Sequence, residues 1–159
     1  MEKLMMNFAD AHDAAVIHHV MIQAFTEYKD ETPPSSALEE TVQSVAESLQ
    51  KGERALMVFE GKEPVGMVRF QVTKEGLYFY RLSVIPEKQG QGIAKKMLYG
   101  LEDLVKKEQL STILCKVRMT VPKNIQLYRS IGYEISDEEI VHKPNGQQVS
   151  VVTMKKTNV

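Results

Sequence analysis

The part of the sequence that most constrains the fold is a β-prone run that leads through a glycine-rich loop into an amphipathic helix. Residues 77–85 are rich in aromatic and β-branched side chains and predict a strand. Pro86 ends that strand, because proline has no N–H to donate to a ladder. The sequence QGQGIA follows at 89–94, and apolar residues then recur at helical spacing. We therefore expect a strand, a loop of small residues and a helix in direct succession.

The start of such a helix is suited to binding an anion. Its first N–H groups lack intrahelical acceptors, and the helix dipole places partial positive charge there. Gly90 and Gly92 allow the backbone to approach a phosphate closely, Ala94 adds only a methyl group, and Lys95 adds charge. We therefore expect this loop to bind a phosphate or pyrophosphate.

Two common phosphate-binding motifs do not fit the loop. The Walker pattern G-x-x-x-x-G-K-[ST] does not occur, and a dinucleotide pattern G-x-G-x-x-G that starts at Gly90 has Lys95 at its last position. A plain turn whose glycines serve geometry alone is the structural alternative. The strand with its proline and the following Q-x-x-G-x-A instead resemble motif A of the GNAT superfamily of N-acetyltransferases.

This resemblance implies a cofactor site and a fold. In the family, the loop wraps the pyrophosphate of acetyl coenzyme A (acetyl-CoA), and backbone groups of the preceding strand bind the pantetheine arm and the acetyl carbonyl. The implied fold is α/β, with a mostly antiparallel central sheet of six to seven strands, about four helices, and one parallel strand pair that carries the cofactor site. The cofactor-binding residues implied here are Leu82, Ser83, Val84, Gln89, Gly90, Gln91, Gly92, Ile93, Ala94 and Lys95.

Residues 121–133, VPKNIQLYRSIGY, resemble motif B of the same superfamily. Tyr128 and the pair Gly132-Tyr133 match the end of that motif. The family's Asn often precedes the Tyr by two helical turns, where this chain has Val121, whereas Asn124 lies one turn before it. The resemblance implies that Tyr128 is the catalytic acid for the departing thiolate and that Asn124 contacts the cofactor.

The sequence does not identify the base that deprotonates the amine. Many family members have a Glu on the strand before the glycine-rich loop, where this chain has Tyr78, Phe79 and Tyr80. Strand alternation predicts that Tyr78, Tyr80, Leu82 and Val84 share one face and that Arg81 lies on the other. An ordered water chain, Tyr80 and an acid from the loop 27–31 are all candidates.

The remaining elements follow from caps, turns and alternation. We expect a first strand at 3–9, a helix capped by Asp10 with Asp13, and a second helix capped by Ser36 with Glu39. Short turns indicate an antiparallel meander that ends with the strand at 77–85, and a crossover helix places a strand at 112–119 parallel to it. Pro122 predicts the first residue of a helix, and Asn145-Gly146 predicts the turn of a β-hairpin.

Composition excludes several classes of function. With 159 residues and a net charge of −1, the chain predicts a single domain, 1–159, without affinity for nucleic acid. No metal site is expected, because the neighbouring His18 and His19 point apart, and Cys115 is expected to be buried and inert. Because no leader or membrane-length apolar run is evident, we expect a cytoplasmic protein that does not enter membranes.

The sequence therefore predicts an acetyl-CoA-dependent N-acetyltransferase. It would move an acetyl group to a primary amine of a small molecule or protein by direct attack through a ternary complex. A homodimer is a further expectation, and transfer of a longer acyl group stays open. The alternative is a non-catalytic module of the same fold that binds acyl-CoA or regulates a partner.

Overall fold

The structure is a computed structural model that describes residues 3–28 and 35–159. Residues 29–34 lie outside the described residues, and they include Asp30 and Glu31 from the loop 27–31 that was considered as a source of the base. The described elements, in chain order, are β1 (Leu4–Ala9), α1 (Ala14–Phe25), α2 (Val42–Gln50), β2 (Arg54–Glu60), β3 (Glu63–Thr73), β4 (Gly76–Val84), α3 (Ile93–Lys107), β5 (Ile113–Arg118), α4 (Pro122–Ser130), β6 (Glu134–His142) and β7 (Gln148–Lys156).

The strands form one mixed sheet of seven strands in the order β1-β2-β3-β4-β5-β7-β6. β4 and β5 are parallel, whereas the pairs β1–β2, β2–β3, β5–β7 and β6–β7 are antiparallel. The predicted mixed α/β fold with one parallel strand pair is confirmed. The crossover through α3 explains that pair, because a strand–helix–strand connection returns the chain in the same direction.

The chain divides into two compact units. The first comprises residues 1–71 and 79–101, and its core includes Ile17, Met21, Met67, Phe70, Met97 and Leu98. The second comprises residues 72–78 and 102–159, and its core includes Leu77, Ile113, Cys115, Tyr133, Val152 and Met154. These residues bury large aliphatic and aromatic side chains, which is the main favourable contribution to folding of each unit.

The caps before α1 and α2 give one confirmed and one corrected prediction. Asp10 and Asp13 form the predicted capping box on a 3-10 turn, after which α1 begins at Ala14. The predicted cap at Ser36 is wrong, since Ser35 caps a short 3-10 turn over Ser36–Glu39. α2 begins only at Val42, where Thr41 and Ser44 form the capping box.

The predicted start of α4 at Pro122 and the predicted hairpin at the C-terminal end are confirmed. Pro122 is the first residue of α4, where its missing N–H costs no helical hydrogen bond. Gly132 follows the helix with φ +100°, a conformation that glycine adopts freely. β6 and β7 pair from Glu134 to His142 across the Asn145-Gly146 turn. None of the helices in the described ranges has the length and apolar character needed to cross a membrane.

Candidate active site

The glycine-rich loop before α3 has the geometry of an anion-binding loop. Gly90 and Gly92 have φ +81° and +83°, and a Cβ atom at either position would meet nothing within 4 Å. The N–H of Lys96 donates to the carbonyl of Gly92 at 3.0 Å, so the helical hydrogen bonds begin there. The N–H groups of Ile93, Ala94 and Lys95 precede that first bond and have no acceptor within the helix. The loop is therefore open at the positive end of the α3 dipole.

The side chain of Gln89 joins the loop to the end of β4. Its Nε2 donates to the carbonyl of Val84 at 3.1 Å and to Oε1 of Glu27 at 3.3 Å. Both segments that the sequence assigned to the cofactor, 82–84 and 89–95, thus lie in the first unit and are connected directly. The Gln89 amide serves this connection in the structure, and Gly90, Gln91 and Lys95 are exposed beside it.

Gly66 on β3 allows α3 to lie close to the sheet. A Cβ atom at Gly66 would stand 3.1 Å from Cε of Met97, 3.2 Å from Cγ2 of Ile93 and 3.2 Å from the carbonyl oxygen of Ser83. Ser83 is buried, and its hydroxyl donates to the carbonyl of Arg81 at 2.8 Å. The start of the helix and the end of β4 are therefore fixed relative to each other by tight packing.

The parallel ladder between β4 and β5 is short. It joins two residue pairs, Leu77 with Ile113 and Tyr78 with Leu114. β5 continues its antiparallel ladder with β7 as far as Arg118, whereas Leu82, Ser83 and Val84 lie beyond the last pair of the β4–β5 ladder. Sequence alone does not reveal this early end of the parallel pairing.

Arg81 breaks the alternation of β4. Its φ of +57° lies in the left-handed region, which an arginine rarely adopts. As a result, the neighbouring residues Tyr80 and Arg81 reach the same group of carboxylates, and the expectation that Arg81 lies on the opposite face is wrong. The Tyr80 hydroxyl donates to Glu53, and Arg81 Nε donates to Glu40 at 3.0 Å.

Arg69 connects these two carboxylates. Its Nε donates to Glu53 at 2.7 Å, and its Nη1 donates to both oxygens of Glu40 at 2.9 and 2.8 Å. The side chains of Arg69 and Glu53 are 3% and 2% exposed, so this is a buried ion pair. Burial opposes the charge of Arg69, but the hydrogen bonds to Glu53 and Glu40 outweigh it and raise the pKa of Arg69. Two arginines and two carboxylates balance one another in this network.

Tyr80 is a hydrogen-bond donor in the network. Burial, followed by the hydrogen bond to Glu53, raises the pKa of Tyr80 well above its ordinary value. Gln71 Nε2 donates to the same phenol oxygen at 3.2 Å. At neutral pH the residue is therefore a phenol whose proton is directed to Glu53, which argues against Tyr80 as the base.

Motif B forms α4 in the second unit. Tyr128 is 6% exposed, and its ring lies 5.8 Å from that of Tyr133, centroid to centroid. The N–H of Asn124 donates to the carbonyl of Val121 at 3.2 Å, so Asn124 belongs to the first turn of the helix. In the same unit, Tyr78 lines an open groove of about 900 Å³ together with Leu114 and Lys116. Tyr80 is not among the residues that line this groove.

Cys115 and His18, which the sequence analysis also considered, have neighbours that are compatible with a structural role. Burial raises the pKa of the Cys115 thiol, which disfavours the reactive thiolate. His18 Nε2 lies 2.8 Å from the carbonyl oxygen of Glu40. Within residues 3–28 and 35–159, no group of His, Cys, Asp or Glu side chains is arranged to hold a metal ion.

Sequence analysis missed the network of Glu40, Glu53 and Arg69. One signal was present, because Arg69 is a charged residue inside the otherwise apolar strand VGMVRF. A charge in such a run is rarely buried without a partner. The partners themselves lie 16 and 29 positions earlier in the chain and could not be identified from that signal.

Comparison with known proteins identifies the family. The model of the acetyltransferase (GNAT) family matches residues 17–133. The chain belongs to this family. No curated protein is significantly similar to the chain.

Solved structures share the fold. The ribosomal-protein-S18-alanine N-acetyltransferase of Escherichia coli has a TM-score of 0.79 at 16% identity, with 98% of this chain and 94% of that chain covered. A chimera of the spermidine N-acetyltransferase SpeG from Vibrio cholerae and hSSAT has a TM-score of 0.77 at 20% identity, covering 98% and 95%. The protein yncA of Salmonella typhimurium, determined with its cofactor acetyl-CoA, has a TM-score of 0.76 at 16% identity, covering 98% and 94%.

Proposed function

We propose that this chain, acting as one domain over residues 1–159, is an N-acetyltransferase that uses acetyl-CoA as its donor. The acetyl group would move to a primary amine by direct attack within a ternary complex. The observation that carries the proposal is the direct connection of the open glycine loop to the end of β4 through Gln89. Membership of the GNAT acetyltransferase family supports it. So does the similar fold of yncA, whose structure contains acetyl-CoA.

The residues present fit the two parts of the donor. Backbone N–H groups at 90–95 and the charge of Lys95 would bind the pyrophosphate, since phosphates bind well at helix N-termini. Backbone groups of Leu82, Ser83 and Val84, which lie beyond the β4–β5 ladder, would hold the pantetheine arm and the acetyl carbonyl. Asn124 on α4 is proposed as a further contact. The bound thioester supplies the activated acyl group.

Tyr128 is proposed as the catalytic acid. When the amine attacks, the thioester carbonyl becomes a tetrahedral oxyanion that needs hydrogen-bond donors, and the C–S bond then breaks. The phenol of Tyr128 would give its proton to the departing sulfur, and the proton lost by the attacking nitrogen would go to a base. Because Tyr80 is held as a donor to Glu53, we propose an ordered water chain or an acid such as Glu27 as that base.

Titration of the protein with acetyl-CoA tests the cofactor site. Gly92→Glu places a side chain and a negative charge in the open loop at φ +83°, and we expect it to weaken micromolar binding at least tenfold. Gly146→Glu is a matched control, because Gly146 has φ +88°, equally open surroundings and the same charge change, but lies in the β6–β7 turn. Binding that is absent in the wild type, or equally weakened by both variants, would contradict the proposed site.

A non-catalytic acyl-CoA-binding module is the second candidate. It is favoured by the lack of a carboxylate in β4 and by the engagement of the nearby Glu40 and Glu53 with arginines. The two functions are distinguished by coenzyme A release in the presence of an amine panel. The panel includes spermidine and alanine presented on a peptide, since two proteins of similar fold are named as a spermidine N-acetyltransferase and a ribosomal-protein-S18-alanine N-acetyltransferase. Release with one amine supports the enzyme, whereas binding without any release supports the module.

A further inference from the structure

We propose that the outer edge of β1 is an interface that pairs with β1 of a second copy of this chain. β1 is the first strand in the sheet order and pairs with β2 through all residues from Leu4 to Ala9. Its other edge carries alternating N–H and C=O groups that a further strand can bind. This inference concerns assembly and does not depend on the proposed transferase activity.

The side chains of β1 are unusual for an edge strand that stays in water. Met5, Met6 and Phe8 are 55%, 43% and 54% exposed, and the strand LMMNFA contains no charge and no proline. Its ladder with β2 has no register shift along β1. Natural proteins protect free edges with charges, prolines or bulges, because an apolar regular edge recruits other strands.

The opposite edge of the same sheet has that protection. β6 carries Glu134, Asp137, Glu138 and Glu139, and its ladder with β7 shifts register between Ile135 and Asp137. One edge is therefore charged and irregular, while the other is apolar and regular. When two copies pair through β1, the apolar edge of each copy is covered and only the protected β6 edges remain. The assembly would therefore stop at two chains.

Phe8 contacts neighbouring side chains of its own unit although it is 54% exposed. Its ring packs edge-on against the buried Phe70, with centroids 6.2 Å apart, and the guanidinium of Arg54 lies 5.9 Å from its centroid. A held aromatic side chain loses little conformational freedom on binding, which is typical of residues that dominate interfaces. Tyr99 on α3 adds a further exposed ring in the same unit.

An antiparallel pair of β1 strands, rather than a parallel one, fits the charges at the strand ends. Lys3 precedes β1 and Asp10, whose side chain is 74% exposed, follows it. Antiparallel pairing places Lys3 of each copy near Asp10 of the other, whereas parallel pairing would bring like charges together.

The register follows from the exposed side chains. A two-fold axis through Asn7 pairs Asn7 with Asn7, Met6 with Phe8, and Met5 with Ala9 of the second copy. Each dimer then gains two Met–Phe contacts, a favourable pairing of sulfur with an aromatic ring, and two amides that can hydrogen-bond to each other. A second copy is thus complementary to β1 in backbone, shape and charge.

Light scattering and sedimentation of the full chain test the interface. We expect a mass of about twice 18.0 kDa at micromolar concentration. Met6→Lys should weaken the dimer at least tenfold, because it places a buried charge opposite Phe8. Ile140→Lys is the matched control, since Ile140 is 57% exposed on the β6 edge, and it should leave the dimer unchanged. A monomeric wild type, or a dimer that Met6→Lys does not weaken, would overturn the proposal.

Cysteine cross-linking tests the register and remains decisive if Met6→Lys misfolds. Asn7→Cys should form a disulfide-linked dimer on mild oxidation, because the two positions face each other across the axis. Met5→Cys should not, since its two copies would be four positions out of register, roughly 14 Å apart along the strands, beyond disulfide reach. Equal cross-linking of both variants, or of neither, would contradict the interface.

Discussion

At the scale of single residues, Tyr128 gives the sharpest test of the proposed chemistry. Its hydroxyl is proposed to protonate the departing sulfur, so the loss of one oxygen atom should affect the transition state more than cofactor binding. We expect Tyr128→Phe to lower kcat about 100-fold, within the usual range for general acid catalysis, while the Kd for acetyl-CoA changes less than about twofold. The measurements are coenzyme A release with an accepted amine and isothermal titration.

Tyr133→Phe provides the control for that substitution. Tyr133 is buried beside Tyr128, and the substitution removes the same atom from the neighbouring ring. We expect its kcat to stay within about threefold of the wild type. If the two variants lose activity equally, the loss reflects packing, and the acid role of Tyr128 is wrong.

Arg69 is the residue of the first unit whose removal we expect to cost most stability, because it is buried and pairs with two carboxylates. Arg69→Met leaves the buried carboxylate of Glu53 without its cation, whereas the part-exposed Glu40 keeps Arg81. Removal of one partner of a buried ion pair typically costs about 3–5 kcal/mol, because the remaining charge stays desolvated. We expect a loss of that size in the free energy of unfolding, measured in urea.

Lys116 and Glu139 form the contrasting exposed pair. Their side chains are 46% and 41% exposed at a distance of 2.7 Å. Lys116→Met should cost at most about 1 kcal/mol, because water screens the charge that is left. A similar loss in Lys116→Met and Arg69→Met would show that burial does not determine the contribution of the Arg69 network.

At the scale of elements, the contact of α3 with the sheet positions the proposed cofactor loop. Gly66→Val would push against Ile93, Met97 and the backbone of Ser83, and so displace both segments of the loop site. We expect the Kd for acetyl-CoA to rise at least about fivefold, measured by titration of a variant whose fold is verified by circular dichroism.

Gly100→Val is the control within the same helix. A Cβ atom at Gly100 would stand 3.3 Å from Cδ2 of Leu56 and 3.5 Å from Cε of Met6, so this variant also crowds α3 against β1 and β2. Because Gly100 lies two turns after the loop, we expect lower stability with unchanged cofactor affinity. Weaker binding in Gly100→Val alone would contradict the positioning role of Gly66.

At the scale of the whole molecule, three neutral groups predict a loss of stability in alkali: the buried Cys115 and Tyr133 and the half-buried Tyr80. Burial is the largest cause that raises the pKa of Cys115, Tyr80 and Tyr133 above ordinary values of 9.0, 10.0 and 10.0. Above about pH 9 the unfolded chain therefore releases protons that the folded chain retains. The free energy of unfolding then falls as pH rises, whereas below about pH 8 these groups contribute no slope.

Thermal unfolding between about pH 7 and 10.5 measures this effect. Cys115→Ala removes one of the three groups and should make the decline of Tm above pH 9 shallower, even though the variant starts from a lower Tm. Tyr99→Phe removes an exposed phenol and should leave the slope unchanged. If Tm declined equally steeply above pH 9 in the wild type, Cys115→Ala and Tyr99→Phe, the contribution of the buried thiol would be contradicted.

Local patterns in the sequence were sufficient to predict the order of the elements and the position of the glycine-rich loop. These patterns act over a few residues and therefore predict elements without knowledge of the fold. They are the hydrophobic periods, Pro86, Pro122, the glycines of the loop and Asn145-Gly146, and they predicted β4, α3, α4 and the C-terminal hairpin. The resemblance of two short motifs was sufficient to predict the family. The starts of two helices differ from the local patterns, because 3-10 turns precede both of them. Asp10 caps such a turn before α1, and α2 begins after Thr41 rather than after Ser36.

The remaining features depend on tertiary contacts. The left-handed Arg81 and the network of Glu40, Glu53 and Arg69 depend on contacts between residues that are up to 45 positions apart, which no local pattern encodes. The early end of the β4–β5 ladder depends on the packing of complete strands. The contrast between an apolar edge at β1 and a charged edge at β6 has meaning only once the strand order shows which strands are edges.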